Sequence, residues 1–185
     1  VLSLMTKIAS GYWHVADSQT GYTAISIAAL KRLQLDKIYP RYGVPNDILI
    51  RLNVAGCRVA EVPIKPVYDV GEVSGIRLHK VIPTISWLLI RLFFWRLLQK
   101  YIIRDFHPLV FFYLAGCAFL IMGLLLGIVI LIVNTVGPPY LPIGWIILCA
   151  LLVISGSQSL FFAMWFDMDY NRNLCVIEDN TVDDV

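Results

Sequence analysis

Between Phe106 and Phe166 the sequence has no Asp, Glu, Lys or Arg. Water-exposed surfaces of folded domains carry charge, so this absence excludes a soluble domain over that stretch. The chain also lacks clustered metal ligands. Its four cysteines (Cys57, Cys117, Cys149, Cys175) are scattered with no C-x-x-C spacing, and its three histidines (His14, His79, His107) stand apart. That excludes a zinc module or a disulfide framework and leaves the cysteines as small hydrophobes in a reducing compartment. No basic n-region with a cleavage site opens the chain, which begins Val1-Leu2-Ser3-Leu4-Met5. The expectation is a C-terminal piece of a longer protein.

What is present is strongly segregated. Of 185 residues 58% are hydrophobic and 15% charged. Residues 1–105 hold fourteen Lys/Arg against seven Asp/Glu, whereas the tail from Asp167 holds one Arg against six acids. Leu109–Val133 is 25 residues without a charge, about 38 Å as a helix, more than the roughly 30 Å of a hydrocarbon core. Asn134-Thr135-Val136-Gly137-Pro138-Pro139-Tyr140 reads as a turn, and Leu141–Phe166 returns. A two-span hairpin follows. Ser155, Ser157, Gln158 and Ser159 in the second span suggest hydrogen bonds between helices. The basic residues before the first span place that side, and the tail with it, in the cytoplasm. The acidic tail itself reads as disordered.

The first hundred residues show mixed patterning. Leu4, Ile8 and Ala9 share a helical face that Ser10-Gly11 ends. Asp17-Ser18-Gln19-Thr20-Gly21-Tyr22 is a polar turn, with Ser18 or Thr20 able to cap a helix running roughly from Gly21 to Leu33. A second helix begins at Pro45 or Asn46 and stops at Gly56. Cys57–Ile64 alternates like a strand, with Pro63 and Pro66 marking a sheet edge. One strand makes no sheet, so its partners are expected upstream of Val1 or in another chain. Val81–Arg104 is Trp- and Phe-rich, and Arg96, Lys100 and Arg104 fall on one helical face. This pattern, just before a span, fits an amphipathic helix lying at the bilayer surface.

Taken together, Asp17-Ser18-Gln19-Thr20-Gly21-Tyr22, Gly56, Glu61-Val62-Pro63 and Gly71-Glu72-Val73-Ser74-Gly75-Ile76-Arg77, followed by a Trp-rich helix and a hairpin, resemble the C-terminal half of the inverting family 2 glycosyltransferases. The order narrows the resemblance to the polyprenyl-phosphate sugar transferases of the dolichol-phosphate mannose synthase type. The Gln-x-x-Arg-Trp motif of processive synthases is absent. The resemblance implies an α/β fold. Residues 1–67 would be the C-terminal portion of a GT-A catalytic domain, 68–105 an acceptor loop and interfacial helix, 106–166 the two transmembrane helices and 167–185 a cytoplasmic tail. It implies transfer of a sugar from a nucleotide-sugar, bound by a half lying upstream, to a polyprenyl phosphate. A divalent cation, Mg2+ or Mn2+, would serve the full-length enzyme with ligands outside this chain. Asp17 and Gln19 would be the catalytic pair, and Ser74, Arg77 and Lys80 would bind the acceptor phosphate. No nucleic-acid partner is expected, and homo-oligomerization stays open. Two other readings also stay open: a non-catalytic hairpin anchor or assembly protein, and a family 2 transferase with a glycan or glycolipid acceptor. The alternative for Asp17 is a helix cap, and Glu61 reads as a structural group pairing with a neighbouring Arg.

Overall fold

The computed structural model describes residues 2–18, 22–62, 78–136 and 142–176. The chain divides into two units, Val1–Arg104 with Met168–Val185, and Asp105–Asp167.

The first unit is built on helices. Its elements are α1 (Leu2–Ser10), α2 (Ile27–Leu30), α3 (Val44–Val54), β1 (Val59–Ala60), α4 (Leu78–Leu98), a π-helical turn at Gln99–Arg104, and β2 (Cys175–Val176) beyond the second long helix. Ala9 of α1, Ile50 of α3 and Ile85, Leu88, Leu89 and Leu92 of α4 form one buried cluster. Tyr12, Val15, Leu33, Leu52 and Cys57 form a second. Gly11 ends α1 with φ 74°, the left-handed conformation that glycine takes at low cost. The space that a Cβ there would need is filled by the Arg96 guanidinium. Pro45 in the first turn of α3 and Gly56 at φ 68° bound that helix as their chemistry requires.

The α/β expectation is overturned. The described residues are mostly helical, with one two-stranded parallel sheet in which Val59 pairs with Cys175 and Ala60 with Val176. β1 is two residues long. A ladder needs an N–H at alternate positions, and Pro63 supplies none just past it. The partner strand among the described residues comes from the tail of the same chain. The tail is correspondingly not disordered through Val176, and residues 177–185 lie outside the described part. The helix expected from Gly21 to Leu33 contracts to four residues, because Ser26 is the residue that caps it, accepting from the Ala29 N–H at 3.2 Å.

The basic face expected on the Val81–Arg104 helix does not lie open. Arg96 and Lys100 are buried, while Arg91 and Arg104 are exposed. Protein acceptors replace water around the two buried cations. Arg96 Nη2 donates to the Ile8 carbonyl at 3.0 Å, capping an end of α1 that has no helical partner of its own. Lys100 Nζ donates to the side-chain oxygens of Asn53, at 2.7 Å, and Asn171. Asn171 Nδ2 in turn donates to the Tyr101 hydroxyl at 2.9 Å. The π turn gives up the regular spacing so that Lys100 and Tyr101, neighbours in sequence, are both buried.

The second unit is a helical hairpin of α5 (Leu109–Val136) and α6 (Ile143–Tyr170, whose last turn belongs to the first unit). Each helix has 28 residues, about 42 Å of rise. α5, α6 and the Val81–Arg104 segment are each long and apolar enough to cross a bilayer. The protein is an integral membrane protein by that criterion. Glycines bring α5 and α6 together. A Cβ on Gly116 would lie 3.1 Å from the Gly156 carbonyl oxygen, and one on Gly156 2.8 Å from the Leu120 nitrogen. Close backbone approach through small residues is how helices associate where lipid offers no hydrophobic drive. Ser157, one of the residues expected to link the helices, instead donates its Oγ hydrogen to the Val153 carbonyl of its own helix at 2.9 Å.

Candidate functional site

The segment after α1 runs alongside Cys57–Glu61 in a regular register. Tyr12 donates its hydroxyl hydrogen to the Cys57 carbonyl at 2.6 Å. His14 Nε2 lies 2.9 Å from the Val59 carbonyl oxygen, an acceptor only, so the ring donates through Nε2. The Ala16 and Asp17 N–H groups donate to the Glu61 carboxylate, at 3.0 Å and 3.1 Å. The step is two residues each time on both segments, although residues 12–17 turn and bend and each bond is made through a side chain. Cys57–Glu61 therefore has the 12–17 segment attached along it and pairs through Val59 and Ala60 with β2.

The far end of this series of contacts is the turn singled out in the sequence. Asp17 is exposed and Ser18 is buried, 4% accessible. The Glu61 carboxylate gathers two backbone N–H groups and so fixes where the Asp17 backbone stands. The expected partner for Glu61, an Arg, is replaced by main chain. Those two N–H bonds hold the Glu61 carboxyl below its ordinary value of 4.5. The group is ionised in the folded state at higher pH, so its hold on the turn is complete above about that value and is lost as pH falls through the lowered one. The Ala16 and Asp17 amides should lose hydrogen-exchange protection on acidification below 4.5. Glu61→Ala should leave them poorly protected at every pH. Protection unchanged in that variant would assign the order of the turn to its flanks instead.

Only part of the predicted site can be placed. Asp17 is described. Gln19, Ser74 and Arg77 lie outside the described residues, and Lys80 is in the first turn of α4 with its side chain outside them. The sequence reading passed over Asn53, Asn171 and the Cys175-Val176 strand. Its signal was the apolar run Leu174-Cys175-Val176-Ile177 inside an acidic tail.

The described residues do not suit a divalent cation. No group of three or more His, Cys, Asp or Glu side chains comes together among them. Glu61 has both oxygens engaged by main-chain N–H groups. An Asp-x-Asp triplet does occur, Asp167-Met168-Asp169. It is helical, with Asp167 buried and Asp169 exposed, so its two carboxylates face different surroundings.

Comparison with known proteins adds one relative. The chain is 37% identical over 67 residues to the uncharacterized protein MJ1222 of Methanocaldococcus jannaschii, an alignment covering 36% of this chain and 27% of that protein. The match thus spans about a quarter of the relative's length. No family model matches the chain, and no solved structure matches it.

Proposed function

We propose that this chain is the acceptor-side, membrane-anchored part of a transferase that moves a sugar from a nucleotide-sugar to a polyprenyl phosphate. The observation that carries the reading is the Glu61 clamp. It fixes an exposed acidic turn by its main chain, within a unit whose sequence leads directly into apolar helices. In such a site Asp17 orients the acceptor and Gln19 supplies a hydrogen bond. A phosphate acceptor has its second pKa near about 6 and is largely ionised at neutral pH, so it needs positioning more than deprotonation. Ser74, Arg77 and Lys80 hold its charge at the membrane surface. The divalent cation that assists departure of the nucleotide belongs to the upstream half.

The membrane arrangement proposed is two spans, α5 and α6, with both flanks cytoplasmic. Lys100 and Asn171 are hydrogen-bonded in one unit. A chain that leaves Lys100 and returns to it at Asn171 crosses an even number of times, which supports the pair. α4 packs its buried face on α1 and α3, which favours the interface over a third crossing. Basic residues before α5 favour the cytoplasmic side.

The test is a transfer assay on the longer protein, with a labelled nucleotide-sugar and a short polyprenyl phosphate. Replacing Arg77→Ala and Lys80→Ala together should raise KM for the lipid phosphate about tenfold or more, on the order of one lost charge-assisted contact, and leave KM for the donor in place. An unaltered acceptor KM sinks the phosphate-binding role. Transfer to a glycan in preference to the lipid would favour the glycan or glycolipid acceptor, and no transfer at all the anchor reading.

A further inference from the structure

The α6 helix carries a polar side chain where lipid would surround it. Gln158 is exposed and lies next to the midpoint of a 28-residue apolar helix. Its amide has no hydrogen-bond partner among the described residues. It is also on the wrong side of the helix to reach α5. Gly156, which faces α5, is two residues away, about 200° around the helix. A carboxamide left in hydrocarbon without a partner is costly, by up to several kcal/mol on transfer scales.

Gln158 also sits in a pattern. Ile147, Leu151, Ile154, Gln158, Phe161 and Trp165 follow one another at steps of four and three, the spacing of a left-handed coiled-coil seam. All are exposed, and Ile154, Phe161 and Trp165 are 65%, 70% and 65% accessible. Beside Gln158 the surface is concave, a groove of about 500 Å³ whose lining includes Ile154, Ser157, Phe161 and Trp165.

We infer that this seam is the contact between two copies of the chain, paired in parallel through α6 with Gln158 meeting Gln158. The choice of a second copy follows from symmetry and from the amide. Copies of one chain insert in one orientation, so a two-fold axis relating them runs along the membrane normal. Each seam residue then meets its own counterpart at the same depth. A carboxamide both donates and accepts, so it pairs with itself, whereas a carboxylate or an ammonium would repel its copy. A single polar residue within an apolar seam also sets the register and number of strands. The groove beside Gln158 gives the partner's aromatic side chains a place to seat.

Sedimentation equilibrium of the full chain in density-matched micelles tests this. A reversible dimer is expected, with Gln158→Leu weakening association roughly tenfold, since interhelical hydrogen bonds in membranes contribute about 0.6–2 kcal/mol. Gln158→Asn, which keeps an amide, should retain part of the affinity. A second measurement covers any folding defect. With the four native cysteines replaced, single cysteines at Leu151, Ile154, Gln158 and Phe161 should cross-link to their own copies on oxidation, and one at Ile121 of α5 should not. A chain that stays monomeric at every concentration overturns the inference. So does an unchanged affinity in Gln158→Leu, or cross-linking that favours Ile121. A dimer seen without any transferase activity would sustain this inference and count only against the proposed function.

Discussion

Asn53→Leu should destabilise the first unit by about 3 kcal/mol, and Lys100→Met by roughly half as much. Both remove the same 2.7 Å hydrogen bond between Lys100 Nζ and Asn53 Oδ1. They differ in what remains. Lys100→Met takes away the charge and leaves Asn53 and Asn171, already joined by a 2.9 Å bond, to satisfy one another. Asn53→Leu leaves the ammonium in place, 7% accessible, with fewer acceptors around it. An under-solvated charge costs more than an under-satisfied amide. Asn53 is fully buried, so water cannot readily take its place. Thermal unfolding in micelles would read the difference as a midpoint lowered by about 10 °C for the asparagine variant and distinctly less for the lysine variant. The reverse order would show that burial of the charge is not the dominant cost.

The second large effect concerns Asp17. On the proposed transferase reading, Asp17→Asn in the longer protein should lower kcat by about 10²-fold, the lower range for a positioned carboxylate, with KM for the nucleotide-sugar unchanged. Glu61→Ala should move the same parameter in the same direction, because it frees the Ala16 and Asp17 N–H groups that fix the turn. On that reading Glu61 is a positioning residue acting through the turn, so its substitution should also flatten the acid-side dependence of turn protection, which Asp17→Asn would leave intact. Near-normal turnover in Asp17→Asn would return that residue to a purely structural place in the turn.

Which elements were legible in the sequence follows from which forces formed them. α5 and α6 could be read because they answer to one variable, the absence of charge over a bilayer's thickness. Their ends run further than expected, since Asn134 and Thr135 are polar but uncharged and continue α5. α3 was legible from Pro45 and Gly56, local signals with local causes. β2 was not, because its partner is more than a hundred residues away and the acids around it resemble a solvated tail. Nor was the burial of Arg96 and Lys100. Amphipathic reasoning sends cations toward water, and only the folded unit shows that the Ile8 carbonyl and two asparagines stand in for water. The Asp17 turn was legible as a polar break before a helix. Its tie to Glu61 was not, since the sequence offers a carboxylate no clue that its partner will be main chain.

The pairing of Val59 with Cys175 also fixes an order of events during synthesis. β2 and Asn171 leave the ribosome only after both long helices have been made. Until then β1 lacks its neighbour, and the ammonium of Lys100 lacks one of its acceptors. The first unit therefore cannot reach its final form before the hairpin has been threaded and its end returned. Closing so long a loop is slow relative to local helix formation. A chain stalled or truncated ahead of Asn171 would keep its helices and its clusters of apolar side chains, yet would lack the strand that pairs with β1. Completion of the hairpin thus becomes a condition for finishing the first unit.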